Sequence, residues 1–229
     1  MKTRRNAILE SLLFIWMAVA IVMVFFYAPI EAKQGIVQKI FYFHVPLAWN
    51  AFVGFLIVFI ASFRYLATRD PKWDARAVSA AEVGVLFTTL VLITGPIWGK
   101  PVWGIWWTWD ARLTLTFVLW LIYLGYLMLR RYVESPERRA VLSAVVGIIG
   151  FIDVPLVYFA IRWWRTQHPQ PVLMGGQDSG MDPKMLTTWA VSSGAFLVLY
   201  IVMFRRRVAV ERMKMLLDDL REQAEGARS

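Results

Sequence analysis

Cysteine is absent from the 229 residues, which excludes disulfides, thiol nucleophiles and thiolate metal sites. Histidine is nearly as scarce, with two copies, His44 and His168. The chain has no phosphate-cradling glycine loop, no setting for a hydrolase nucleophile and no zinc-ligand spacing. Internal repeats and low-complexity tracts are missing, and no polar stretch is long enough to fold as a separate soluble domain. Acidic residues are few, 16 against 25 Lys and Arg. That balance invites a nucleic-acid reading, which the placement of the charges argues against.

What the chain has instead is apolar length. Hydrophobic residues make up 59% and mean hydropathy is +0.53, more than a soluble domain carries. Six segments, roughly 8–28, 45–66, 78–97, 112–129, 139–160 and 186–204, meet or approach the ~20 residues a bilayer requires. The fifth contains Asp153 and Pro155, which blurs its limits. The expected fold is all-α: a polytopic membrane protein with six transmembrane helices over residues 1–204, followed by a basic tail over 205–229. The first apolar run is too long and bulky for a signal core and lacks a small-x-small site at its end, so it reads as a retained helix.

Charge sets the expected orientation. Eighteen of the 25 Lys and Arg fall before the first segment, in the second and fourth connections and in the tail. The other seven, Lys33, Lys39, Lys100, Arg112, Arg162, Arg165 and Lys184, fall on the opposite side. Positive charge near span ends stays cytoplasmic, so both termini are expected inside, and no nucleic-acid partner is expected.

Helix boundaries follow from local signals. The first span is expected to end at Pro29. After it, Gln34, Gln38 and Lys39 would face water while Ile36, Val37, Ile40, Phe41 and Phe43 lie on the membrane surface. The second helix is expected to begin near Val45-Pro46 and the third to stop at Gly95-Pro96. Thr108 or Asp110 would cap the fourth. The longest outer connection is expected from about Arg162 to Lys184, and the first half of the tail would form a surface helix.

One stretch departs from how connections are usually built. Residues 98–110 read W-G-K-P-V-W-G-I-W-W-T-W-D and hold five of the twelve tryptophans, Trp98, Trp103, Trp106, Trp107 and Trp109. Interfacial belts account for Trp16, Trp49, Trp120 and Trp189. A belt needs one or two rings per helix end, not a dense patch with Gly99 and Gly104 in it. Large flat rings suit a large flat partner. Both histidines lie on the same predicted side, His44 in K-I-F-Y-F-H-V-P and His168 after R-W-W-R-T-Q. Two neutral imidazoles can fill both axial positions of a haem iron, although each alone is equally well an interfacial histidine with a local hydrogen bond. Asp110 suits a helix N-terminus. Arg112, Arg162, Arg165 and Lys100 could meet carboxylates or simply anchor the chain at the interface. Asn50, Glu82 and Asp153 lie within spans, where polar groups are costly; they would mark a transport path if they formed a relay, but they are scattered in depth.

These segments resemble a known family. W-G-K-P-V-W-G-I-W-W-T-W-D-A-R is similar to the tryptophan-rich (WWD) signature of the haem-handling proteins of cytochrome c biogenesis. With K-I-F-Y-F-H-V-P-L-A-W, W-W-R-T-Q-H-P and the six-span length, the chain resembles the C component of the bacterial cytochrome c maturation system. The resemblance implies haem b, iron protoporphyrin IX, held at the periplasmic face, with His44 and His168 as the two iron ligands. It implies a binding surface comprising Trp98, Trp103, Trp106, Trp107, Trp109, Asp110, Arg112, Trp163 and Trp164. It further implies haem presented for covalent attachment to a membrane-anchored periplasmic chaperone. An ATP-binding cassette complex and a very small membrane subunit would assist, in the bacterial inner membrane. On that reading the chain delivers haem and is not a classical turnover enzyme. Two other readings stay open here: a transporter using a path between the helices, and a membrane b-type electron-transfer protein.

Overall fold

The computed structural model describes residues 2–168 and 181–226. Seven α-helices follow one another: α1 (Lys2–Val22), α2 (Phe41–Thr68), α3 (Pro71–Trp103), α4 (Ala111–Tyr132), α5 (Pro136–Phe151), α6 (Asp153–Trp163) and α7 (Pro183–Gly226). Six helical stretches are long and apolar enough to cross a membrane, with α5 and α6 together making one of them. Among the described residues there is no sheet, only an isolated bridge between Glu31 and Gly35.

The connections away from the tryptophans are short because the chain caps them locally. Arg69 closes α2 in the left-handed conformation (φ 57°), donating its N–H to the Tyr65 carbonyl at 2.7 Å. Asp70 then accepts from the Lys72 N–H at 2.9 Å, with Pro71 in the first turn of α3. Ser135 and Pro136 start α5 in the same way.

Close packing of α2 on α3 forms the centre. Gly54 and Gly84 face each other there. A Cβ on Gly84 would lie 2.8 Å from Phe55 Cε1, and one on Gly54 would lie 3.3 Å from the Gly84 Cα. Small residues at such crossings let helix backbones approach where lipid offers no hydrophobic drive. Phe55 fills the space with its ring stacked 3.8 Å from that of Tyr123 on α4. The apolar faces left uncovered, such as Phe14, Phe26 and Ile60, suit contact with lipid tails.

Several boundary expectations need correction. Helix α3 does not stop at Gly95-Pro96 but runs through Pro96 and Pro101 to Trp103. A proline removes one N–H from the ladder, and a membrane helix tolerates that loss where neighbouring groups take it up. Trp98 and Trp103 are therefore helical, and the connection shrinks to residues 104–110. Helix α2 begins at Phe41, after a 3-10 turn over Ile36–Ile40, so His44 lies in its first turn and not before it. Gln38 and Lys39 are buried, each 6% exposed, instead of facing water. The Lys39 ammonium donates to the carbonyls of Val24 at 2.7 Å and Phe25 at 3.1 Å. These belong to the π-helical turn Met23–Tyr27 that ends the first span, so the lysine supplies the donors that the helix end lacks. The fifth span breaks at Ile152, giving α5 and α6. Helix α7 runs unbroken past residue 204 to Gly226. Much of the connection expected between Arg162 and Lys184 lies outside the described residues.

Candidate functional site

The start of α2, the end of α3, residues 104–110, the start of α4 and the end of α6 meet at one end of the bundle. They surround a cavity of about 1140 Å³, its open mouth included. His44 and His168 both line it. So do Trp98, Trp103, Trp106, Trp107 and Arg112. The floor is small and apolar: Ala48 and Ala51 follow His44 at one and two turns along α2, with Val91 of α3 and Leu119 of α4 beneath the rings.

Helix α3 holds the His44 ring. Thr94 Oγ1 lies 2.8 Å from His44 Nδ1, and Trp98, one turn further on, meets the ring edge-on at 5.7 Å. Trp98 is fixed in turn by donating its Nε1–H to Gln34 Oε1 at 2.9 Å. Gln34, Thr94 and Gln167 carried no distinguishing sequence signal. Ala48 and Ala51 did: small residues at helical spacing after a histidine mark a face with room beside it.

Residues 104–110 are shaped by two left-handed positions, Gly104 (φ 76°) and Trp109 (φ 54°). The first closes α3, its N–H donating to the Lys100 carbonyl at 2.9 Å while Lys100 Nζ donates back to the Gly104 carbonyl at 2.9 Å. The second is uncommon for an aromatic residue and turns Trp109 outward, 69% exposed. Asp110 ends the connection and does more than cap. Its Oδ1 accepts from the Leu113 N–H at 3.1 Å. Its Oδ2 accepts from the Thr108 hydroxyl at 2.9 Å and from the Gln167 N–H at 3.3 Å. One carboxylate thus ties the tryptophan connection to the segment carrying His168. That segment is further folded by a hydrogen bond from the His168 N–H to Thr166 Oγ1 at 3.1 Å.

The sequence-predicted residues are not all in one place. Trp109 lies in a second groove with Trp107, Phe117 and Trp120, so the Trp107 ring stands between two cavities. Trp163 and Trp164 end α6 exposed and do not line the cavity. Asp110 acts from beside it. Among the described residues Arg112 makes no ion pair, and the buried Trp107 Nε1 has no acceptor. A flat ring with a metal at its centre and carboxylates at its rim would use each group: imidazole for the metal, indole faces for the ring, guanidinium for the rim.

Residues 1–222 match the family described as Heme exporter protein C. The chain belongs to that family. It is 39% identical over 176 residues to Heme exporter protein C of Bradyrhizobium diazoefficiens, covering 77% of this chain and 67% of that protein. Heme exporter protein C of Escherichia coli K12 is 32% identical over 192 residues, or 80% and 77% of the two chains. A putative cytochrome c biosynthesis ccmC-like mitochondrial protein of Arabidopsis thaliana is 35% identical over 205 residues, 89% and 77%.

In this Heme exporter C family member, two of the polar groups inside spans have structural work. Asn50 Nδ2 donates to the Pro46 carbonyl at 2.8 Å, and Glu82 pairs with Arg207 of α7, Nη2 to Oε1 at 2.7 Å. Asp153 is buried at the α5–α6 break, its Oδ2 without a partner among the described residues. Among the described residues no hydrogen bond joins the three to one another.

Proposed function

We propose that this chain binds haem b in the cavity beside residues 104–110 and presents it, on the periplasmic side of the bacterial inner membrane, for covalent attachment to a membrane-anchored haem chaperone. Family membership supports a role in haem handling for cytochrome c maturation. On this reading His44 and His168 would hold the haem iron through a ring nitrogen each. Trp98, Trp103, Trp106 and Trp107 pack on the macrocycle, and Arg112 meets a propionate. Asp110 holds the His168 segment in place. The exposed rings of Trp109, Trp163 and Trp164, which do not line the cavity, would offer apolar surface to the approaching chaperone. Haem supplies the reactive edge when bound; the chain's part is orientation and exclusion of water. An ATP-binding cassette complex and a very small membrane subunit complete the partners. The basic residues at the opposite end of the bundle support a cytoplasmic position for both termini.

The observation that carries this reading is that the only two histidines of the chain line one cavity together with four tryptophans and Arg112, a cation with no ion pair among the described residues. The test is the optical spectrum of the purified, haem-loaded protein, oxidised and reduced, for the parent, His44→Ala and His168→Ala. A bis-imidazole low-spin spectrum, lost in each variant, is expected. A parent spectrum unchanged by either substitution would remove the reading.

A further inference from the structure

Thr94 is a residue in an apolar helix with no part in the function proposed above, yet its hydroxyl oxygen is hydrogen-bonded to the His44 ring. Its hydroxyl has one proton. That proton has a partner in its own helix: Oγ1 lies 2.7 Å from the Leu90 carbonyl, the i−4 position, and 3.4 Å from that of Val91. Threonine hydroxyls in apolar helices bond backward in this way. With its proton committed there, the oxygen 2.8 Å from His44 Nδ1 can act only as an acceptor. The donor must then be Nδ1–H, and the unprotonated nitrogen is Nε2. The reverse arrangement would leave the Leu90 carbonyl facing a lone pair at 2.7 Å and put the imidazole proton on the nitrogen an iron needs.

The neighbours of Thr94 complete the seat. A Cβ on Gly95 would lie 3.4 Å from His44 Cε1, so the glycine leaves that carbon, the one between the two nitrogens, just clear of α3. Trp98 closes the ring edge at 5.7 Å. Thr94, Gly95 and Trp98 share one turn of α3, so a single helical surface fixes the ring's tautomer and its rotation.

We propose that Thr94 is a positioning residue for haem ligation: by accepting from Nδ1–H it holds His44 as the tautomer whose Nε2 is ready to bind iron. This rests on the haem reading of the cavity. Ligating histidines characteristically donate their second ring N–H to such a partner, and its loss costs ten- to a hundredfold in metal affinity.

Two measurements test it. In the haem-free full chain labelled with 15N-histidine in lipid, the two histidines give separable ring signals, assigned with His168→Gln. The His44 pair should report a protonated Nδ1 and an unprotonated Nε2 at neutral pH; a proton on Nε2 overturns the proposal whether or not any Thr94 variant folds. In the haem-loaded protein, Thr94→Val should release haem about 10- to 100-fold faster and convert part of the low-spin spectrum to high-spin. Thr94→Ser, which keeps the acceptor, should stay within about threefold of the parent. Parent-like ligation and release in Thr94→Val would overturn the role of Thr94 alone. A parent spectrum insensitive to His44→Ala would instead defeat the haem reading beneath it.

Discussion

Where α2 turns into α3 through Arg69 and Asp70, ion pairs hold the helices to one another; at the other end, around residues 104–110, no ion pair occurs among the described residues. In the first half Arg130 of α4 grips Asp74 of α3 with two bonds, 2.6 and 2.7 Å. Arg207 of α7 bridges Glu82 of α3 and Glu211, and Arg206 pairs with Glu10 of α1. In the second half the ties are hydrogen bonds outside any ion pair: a threonine on an imidazole, a glutamine on an indole, an aspartate on a backbone N–H, and Lys39 on the carbonyls that end the first span. Arg112 and the Trp107 N–H are left with bonding capacity to spare. An unpaired charge near hydrocarbon is expensive, so the first half spends its charges on structure. The second half keeps a cation and a donor available beside the indole rings that line the cavity. The difference teaches which end is scaffold and which end receives something.

The contrast breaks most visibly at Arg130. Its side chain and that of Asp74 are 10% and 18% exposed, so Arg130→Ala leaves a carboxylate largely out of water. Removing one partner of a buried pair costs about 3 kcal/mol or more, whereas replacing both by apolar residues is often near neutral. Thermal unfolding in detergent should therefore show a large drop for Arg130→Ala and substantial recovery in Arg130→Met combined with Asp74→Leu. Haem ligation should be unchanged in whichever variant folds. A ligation change equal to that of His44→Ala would mean that the two ends are not separate in function.

How much of this was legible beforehand follows the same division. The six spans were readable because a bilayer demands a fixed apolar length, a property of composition. Helix ends were less readable, since they depend on what satisfies the terminal backbone groups. Gly95-Pro96 carries every local sign of a stop, but the helix continues because the loss at Pro96 is one bond among many. Lys39 looks like a water-facing charge until α1 is seen to end against it. The tryptophans and the two histidines were readable as a set because their chemistry is rare in this chain. Thr94 was not: Thr88 and Thr89 sit in the same helix and bond to the carbonyl four residues back in the same way, and only the fold says which hydroxyl meets an imidazole.

A smaller effect separates the two jobs of Asp110. Asparagine caps a helix as well as aspartate, so Asp110→Asn keeps the bond from the Leu113 N–H and should shift stability by no more than about 0.5 kcal/mol. Its second atom, however, becomes an amide nitrogen, a donor facing the donors of Thr108 and Gln167. The His168 segment then loses its tether to the connection. The expected result is a near-parent unfolding midpoint with haem released about tenfold faster and weakened ligation by His168. If stability and ligation fall together, the Oδ2 bonds hold the fold as well as the His168 segment, and the two jobs are not separate. Stable variants with parent-like release would show that the His168 segment needs no tether.

The smallest effect concerns Trp109, whose φ of 54° is one that L side chains resist. Holding a non-glycine residue there costs about 1–2 kcal/mol, and glycine escapes that cost. In most positions alanine is the more stable choice, because it restricts the unfolded chain by about 0.4–1 kcal/mol relative to glycine. At position 109 the native strain outweighs that gain, so Trp109→Gly should unfold at a higher midpoint than Trp109→Ala, by about 0.5–1 kcal/mol. The ring itself is mostly exposed and contributes little packing beyond its edge-on contact with Trp107 at 5.7 Å. The usual order, alanine above glycine, would mean that the left-handed turn is not held in the protein. Trp109 would then lie in another orientation, and its outward ring beside the second groove would no longer distinguish this end of the bundle from the other.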